Sequence, residues 1–169
     1  MLATIFQKSF EPYEEVLAYQ KKFSTRMRGI GATATFVGSM RDFNENETVL
    51  SMYLEHYPQM TQRHLETILD TAMRRWELED CFIGHRVGNI FPGEAIVVVA
   101  SWSSHRAHAF ESCRFIMEDL KSNTPFWKKE QTEKGARWVE KNTPGTTMEI
   151  DREETDIQSR VPKQREENS

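Results

Sequence analysis

Residues 81–102, CFIGHRVGNIFPGEAIVVVASW, determine the fold class of this chain. The runs CFIGHRVG and EAIVVVASW have the apolar, β-branched composition that is typical of strands. The linking segment, NIFPG, contains a Pro-Gly step, which is a turn signal. The longest apolar run, AIVVVA, is far too short to span a bilayer. This stretch therefore predicts two strands of a soluble domain.

One helix is predicted before this strand pair and another after it. Residues 60–76 repeat apolar side chains at three- and four-residue steps, namely Leu65, Ile68, Leu69, Ala72, Met73 and Trp76. The second helix, from about His105 to Lys121, can be capped by Ser103 or Ser104. Its predicted apolar stripe is Phe110, Cys113, Ile116, Met117 and Leu120. Pro125 ends this helix, because the residue before a proline avoids helical geometry.

The remaining elements extend in both directions from this centre. We predict a strand at LATIFQ, a helix from Pro12 to Phe23, a strand at 31–40, a polar loop at 41–47, and an alternating strand at 49–57. We predict that WKKE and ARWVEK form a hairpin around TEKG. Alternating strands and helices with long crossovers indicate an α/β or α+β domain. We predict that residues 1–141 form that domain and that the charged, aromatic-free segment 142–169 is a flexible tail.

Composition excludes several classes of protein. The chain has 169 residues and a formal net charge of −4, so nothing global favours nucleic acid or a membrane surface. Cys81 and Cys113 have no metal-ligand spacing, so neither a disulfide framework nor a structural zinc site is expected. No metal and no cofactor are predicted. Nucleotide-binding, zinc-protease and serine-hydrolase motifs are absent, as is a secretory signal. A cytoplasmic protein is the default expectation.

The stretch KSNTPFWKKE, residues 121–130, places lysines around an aromatic step. Because Pro125 forces a change of direction, the ammonium groups of Lys121 and Lys128 can face one cavity, where each would depress the pKa of the other. Phe126 and Trp127 would exclude water or stack on a planar ring. Alternatively, the lysine stems simply cover exposed aromatic side chains.

Two further basic positions are candidates for anion binding. Arg41 closes a strand at a loop, and His105-Arg106 open a helix whose N-terminus favours an anion. The alternative explanations are a surface charge for Arg41 and an ordinary capped helix start for His105-Arg106. His105 and Lys121 are sixteen helical steps apart, roughly 24 Å. Either the chain has two separate anion sites, or a second copy of the chain completes one site.

Five motifs in order resemble one known family: GATATFVGSMR, LEHYPQMT, HRVGNIFPGE, SSHRAHAFE and KSNTPFWKKE. They resemble the large, catalytic subunit of molybdopterin synthase, the MoaE family, over about residues 29–141. The resemblance implies an α/β hammerhead fold with a smaller antiparallel β subdomain. It implies a homodimer within a heterotetramer, whose partner is a small ubiquitin-like sulfur carrier. The carrier's C-terminal Gly-Gly thiocarboxylate would pass sulfur to cyclic pyranopterin monophosphate.

The resemblance also implies roles for individual residues. Lys121 and Lys128 fall on the family's catalytic lysines. The implied substrate-binding positions are Ser39, Met40, Arg41, His105, Arg106, Lys121, Lys128, Lys129 and Glu130. A dimeric adaptor that binds an acidic peptide tail without turnover is the competing class. A third class, a phosphate-ester hydrolase, is disfavoured because the sequence has no evident metal site.

Overall fold

A four-stranded sheet lies at the centre of the fold. The computed structural model describes residues 1–23, 28–44 and 47–139. The strands of this first sheet, in spatial order, are β1 (Leu2–Phe6), β5 (Asp80–Arg86), β7 (Ala95–Ser103) and β2 (Ala32–Ser39). β1 pairs with β5 in parallel, and the other two pairs are antiparallel.

Helices cover both faces of the first sheet. The helices α2 (Pro58–Trp76) and α3 (Arg106–Asn123) pack on the face that carries Val97 and Val99, whereas α1 (Pro12–Lys21) packs on the face that carries Val98 and Ala100. Because β7 is buried on both sides, its sequence is a continuous apolar run without polar alternation. The predicted helices and strands of this layer are confirmed.

A second, antiparallel sheet lies beside the first. Its strands are β3 (Phe43–Asn44), β4 (Glu47–His56), β6 (Gly88–Ile90), β8 (Phe126–Thr132) and β9 (Gly135–Val139). β8 lies between β4 and β9, and β4 also pairs with β3 and β6. The sheet has its own buried cluster: Met40, Val49, Met52, Leu54 and Ile90. The predicted α/β (α+β) class, a hammerhead with a smaller antiparallel β subdomain, is confirmed.

Two predicted connections contain short strands. β3 interrupts the predicted polar loop 41–47, and β6 lies in the segment predicted to join β5 and β7. The Pro-Gly turn itself is confirmed. The N–H of Glu94 donates to the carbonyl of Phe91 at 3.0 Å, and Gly93 has φ +87°, which a type II turn requires at this position.

The apolar stripe of α3 differs from the prediction at one position. Phe110 is 68% exposed, whereas Ala109 is buried and takes the place of Phe110 on the stripe. His105 occupies the N-cap position, and neither predicted serine caps the helix. The hydroxyl of Ser103 instead accepts from the N–H of His105 at 3.2 Å, before the first helical turn. The exposed Phe110 leaves an apolar side chain near the start of α3.

The strict alternation predicted for β4 is also wrong at one point. Val49 and Met52 are both buried, although they are three residues apart. The register with β8 shifts between Val49 and Ser51, so Leu50 is the extra residue of a β-bulge and is half exposed. A bulge reverses which alternate residues face the core. Beyond it, Met52 and Leu54 point inward together.

No helix within residues 1–23, 28–44 and 47–139 is both long and apolar enough to cross a membrane. The predicted tail, residues 142–169, lies outside the residues that the structure describes.

We predict that Leu65→Ala lowers the free energy of unfolding by about 2–5 kcal/mol, because Leu65 is fully buried on the inner face of α2 and its truncation leaves a cavity. The matched control is Leu17→Ala on α1, where the side chain is 56% exposed and the expected change is within about 0.5 kcal/mol. Urea titration of both variants measures the difference. Equal losses in the two variants would contradict the assignment of this core.

Candidate active site

A cavity of about 370 Å³ lies where the two sheets meet the end of α3. The first sheet contributes residues from β2, β5 and β7, and the second sheet contributes residues from β3, β4 and β8. This volume is within the range of small-molecule sites. Three cationic side chains and one carboxylate line the cavity: Arg41, Lys121, Lys128 and Glu130. In a chain of net charge −4, this is a local concentration of positive charge.

Ser39, Met40 and Arg41 line the cavity at the end of β2. The register of β2 against β7 shifts just before Ser39, so a β-bulge turns the strand end toward the cavity. Met40 is buried and held through its backbone: its N–H donates to Glu94, and its carbonyl accepts from Gly93, both at 2.9 Å. The anchored Met40 positions the exposed Ser39 and Arg41 at the cavity mouth.

Lys121 lies in the last turn of α3, next to the buried Leu120. Thr124 follows with extended backbone angles, φ −75° and ψ 133°, so Pro125 ends the helix as predicted. The chain therefore leaves α3 beside the cavity and returns along β8. Lys121 and Lys128, which the sequence predicted to face one cavity, both line it.

β8 presents only alternate residues to the cavity. Phe126, Lys128 and Glu130 line it, because successive side chains of a strand point to opposite faces. Trp127 lies on the other face, in edge contact with Tyr57 at 5.1 Å between ring centroids. The prediction that Trp127 helps to wall the cavity is therefore wrong, and the aromatic wall is Phe126 with Phe36 and Phe43.

Lys129 also lies on the outer face of β8. Its ammonium sits over the ring of Trp138, 5.6 Å from the centroid. The structure therefore does not bring Lys129 to the cavity of its own chain. Adjacent strand positions cannot share one face, so the resemblance-based grouping of Lys128 with Lys129 has no geometric counterpart within a single chain.

Glu130 is the buried anion of the site. Its carboxylate is 2.9 Å from the ammonium of Lys128 and 3.0 Å from Nη2 of Arg137, and it accepts a hydrogen bond from Asn44 at 2.9 Å. Burial raises the pKa of Glu130, but hydrogen bonds from Lys128, Arg137 and Asn44 and the charge of Lys128 lower it below its ordinary value of 4.5. The carboxylate thus stays ionised and holds Lys128 in place.

The sequence interpretation missed Arg137 and Asn44. Glu130 and Arg137 are directly opposite in the β8–β9 hairpin, where Thr132 pairs with Gly135. Counting back from the predicted TEKG turn would have revealed this cross-strand pair. Asn44 carries no such signal, because it reaches Glu130 from β3, 86 positions away in the sequence.

His105 and Arg106 do not line the cavity. Both are exposed at the start of α3, at the opposite end of the helix from Lys121. The rings of His105 and His108 are 5.6 Å apart. The two alternatives raised by the length of the helix, separate anion sites or a site completed by a second copy, therefore both stay open. Within the described ranges, no group of three or more His, Cys, Asp or Glu side chains is arranged to hold a metal ion.

We predict that Glu130→Gln lowers the free energy of unfolding by about 2 kcal/mol at pH 7, because Lys128 and Arg137 lose a buried charged partner. A carboxyl whose pKa is lowered on folding stabilises above its ordinary pKa and loses that contribution as pH falls through the folded value. The difference between wild type and variant should therefore shrink below about pH 4.5. Urea titrations from pH 3 to 7 measure it, with the exposed Glu133→Gln as control. A difference that is independent of pH would contradict the lowered pKa.

Comparison with known proteins identifies the family. A family model described as MoaE protein matches residues 10–123, well over half of the chain. A molybdopterin synthase catalytic subunit from Ralstonia nicotianae is 55% identical over 111 residues, which are 66% of this chain and 63% of that protein. Another, from Pseudomonas aeruginosa, is 46% identical over 140 residues, which are 83% of this chain and 91% of that protein.

A solved structure agrees with these matches. The molybdopterin biosynthesis MoaE protein from Burkholderia ambifaria is 46% identical and superposes with a TM-score of 0.67, covering 81% of this chain and 87% of that chain. Family model, sequence relatives and fold thus converge on one assignment. The chain belongs to the MoaE family, the family of molybdopterin synthase catalytic subunits.

Proposed function

We propose that this chain transfers sulfur as the catalytic subunit of a cytoplasmic molybdopterin synthase. The donor is the thiocarboxylated C-terminal Gly-Gly tail of a small ubiquitin-like carrier subunit, and the acceptor is cyclic pyranopterin monophosphate. Membership of the MoaE family and the names of the close relatives support the proposal. The composition of the cavity supports the choice of substrate.

The acceptor combines a cyclic phosphate with a planar fused ring. Arg41, Lys121 and Lys128 offer cationic donors for the phosphate, of which Arg41 alone has a planar fork. Phe36 and Phe126 offer aromatic faces to the ring system. A site with both features in about 370 Å³ suits a compact, anionic heterocycle.

The state of the two cysteines is the observation that carries the proposal. Cys81 and Cys113 are both buried, and burial raises the pKa of their thiols to about 12 and about 11. Neither thiol lines the cavity. Since the thiolate is the reactive form of cysteine, neither residue is suited to carry sulfur. A sulfur-transfer reaction here therefore needs a donor from outside the chain, as a thiocarboxylate carrier provides.

Each transfer is balanced without an oxidant or a reductant. The thiocarboxylate sulfur is already nucleophilic, so it forms a carbon–sulfur bond at a pyranopterin carbon while the carbon–oxygen bond at that carbon breaks. The displaced oxygen takes up a proton and leaves as water, or it stays on the phosphate as the cyclic phosphate opens. Water then breaks the acyl–sulfur bond and leaves the carrier with an ordinary carboxylate. Two such transfers make a dithiolene. The work of this chain is to position the reactants, neutralise charge and move protons.

Lys121 and Lys128 are the residues proposed for that work. Lys121 serves as the acid and base or contacts the carrier tail, and Lys128 holds the phosphate or an intermediate, or the two lysines exchange these roles. The ion pair of Lys128 with Glu130 fixes its ammonium, which is consistent with a holding role. Ser39, Met40 and Arg41 complete the substrate-binding set within one chain.

The assembly proposed is a homodimer at the centre of a heterotetramer. In this arrangement His105 and Arg106 of one copy approach the cavity of the other, and Lys129 with its outer strand face contacts a neighbouring subunit. The exposure of Phe110 on the outer side of α3 supports a covered surface near His105 and Arg106.

We predict that Lys121→Ala and Lys128→Ala each lower turnover by about 10²–10⁴-fold, the range for loss of a proton-transfer or charge-stabilising group. The assay is anaerobic formation of molybdopterin from cyclic pyranopterin monophosphate and a thiocarboxylated carrier. Lys21→Ala is the matched control, because it removes an exposed lysine from the end of α1 on the opposite face of the first sheet.

Carrier binding is measured in the same samples. A wild-type protein that binds the carrier stably without forming product would contradict the proposal and favour the adaptor. Full activity in both cavity variants would show that these lysines are not the catalytic groups.

We predict that Cys81 and Cys113 resist alkylation in the native protein at pH 8, where raised pKa values leave about a thousandth or less of each thiol ionised. Iodoacetamide labelling followed by intact-mass analysis measures it, with the protein unfolded in guanidinium as the reactive control. Labelling of the native protein at the rate of the unfolded chain would refute the account of buried thiols and reopen cysteine as a sulfur carrier.

A further inference from the structure

His85 is a buried histidine in the wall of the cavity. It lies near the end of β5, is 4% exposed, and lines the cavity together with Lys121, Phe126 and Lys128. Its imidazole stacks on the ring of Phe126, with ring centroids 4.1 Å apart and an angle of 12° between the planes.

A hydrogen bond to the backbone of the next residue, Arg86, sets the orientation of the His85 ring. Nδ1 is 2.8 Å from the carbonyl oxygen of Arg86, and only a protonated nitrogen can donate to a carbonyl. Burial lowers the pKa of His85, the hydrogen bond to Arg86 raises it and the nearby His56 lowers it; the net pKa is about 4, so the ring is uncharged at neutral pH. His85 thus adds a flat, uncharged ring to the cavity. The charged side chains that line the cavity are Arg41, Lys121, Lys128 and Glu130.

Phe126 occupies the turn that joins the two lysines of the site. It is the first residue of β8, five positions after Lys121 and two before Lys128. Its N–H donates to Thr124 at 2.8 Å, and its backbone pairs with His56. The contact with His85 connects this turn to the first sheet, since β5 belongs to that sheet and β8 to the second. The position of Phe126 therefore determines where the path from Lys121 to Lys128 runs.

We propose that His85 is a positioning residue of this site, whose imidazole supports the Phe126 ring and so fixes the turn that aligns Lys121 with Lys128. The inference rests on the proposed sulfur transfer and adds a residue to it. His85 acts through Phe126 and does not itself contact the reacting atoms. Misplacement of a catalytic group by about 1 Å costs up to about 100-fold in rate, so a support of this kind is visible in turnover.

The experiment is a double-mutant cycle in the anaerobic synthase assay, with kcat and the KM for cyclic pyranopterin monophosphate measured separately. His85→Asn keeps a donor near Arg86 but removes the ring, and Phe126→Leu removes the other half of the stack. We expect each to lower kcat by about 10-fold or more with little change in KM. The double variant should be no slower than the slower single variant, within about twofold.

A rescue variant and a control accompany the cycle. His85→Phe restores a flat ring without its nitrogens and should keep most of the wild-type kcat. His64→Ala, which removes a side-chain hydrogen-bond contact with Asp119 at 3.2 Å outside the cavity, should leave kcat unchanged and reports the effect of a general loss of stability. Thermal melts give the folded fraction by which every rate is normalised.

Three results would overturn the inference: effects of His85→Asn and Phe126→Leu that multiply, a wild-type kcat in His85→Asn, or a folded His85→Phe as slow as His85→Asn. If His85→Phe does not fold, the cycle alone decides. A wild-type protein without turnover would instead refute the proposed function, so the two failures are distinguishable.

Discussion

The pairing of β4 with β8 is the constraint on which the site depends. It runs from Val49 opposite Thr132 to His56 opposite Phe126, and it fixes which face of β8 is turned inward. Lys128 and Glu130 share that face and form a buried ion pair, which Arg137 completes from β9. A slip of one residue would put Trp127 and Lys129 in the cavity and expose the Lys128–Glu130 pair. The cavity is therefore a consequence of strand register as much as of helix packing.

Much of the fold could be predicted from local patterns, since helix periodicity, the Pro-Gly turn and the buried strand β7 are encoded in short stretches. The predictions failed where the conformation or burial of a residue depends on a partner that is distant in the sequence. The bulge at Leu50 depends on β8, and the exposure of Phe110 depends on which face of α3 meets the first sheet. Within the site, the sequence predicted that Lys121 and Lys128 line one cavity, because Pro125 ends the helix and turns the chain between them. The role of Asn44 did not, because a contact across 86 positions leaves no local signal.

The cavity combines cationic side chains with an uncharged aromatic wall. Three basic side chains face it, and Glu130 offsets one of them at a distance of 2.9 Å. A fourth cation at the position of His85 would repel the ammonium groups of Lys121 and Lys128, whereas a neutral ring stacked on Phe126 does not. Both thiols are kept in the core, away from the reacting groups. In the proposed reaction the chain provides positive charge and alignment, and the sulfur comes from elsewhere.

The most direct test of this account is to trace the sulfur. The carrier thiocarboxylate is prepared with ³⁴S, and one turnover is followed by mass spectrometry of the pterin product and of this chain. The account predicts that the label passes from the carrier to the pterin and that Cys81 and Cys113 stay unlabelled. Label recovered on either cysteine during turnover would contradict the claim that the chain only positions and neutralises the reactants.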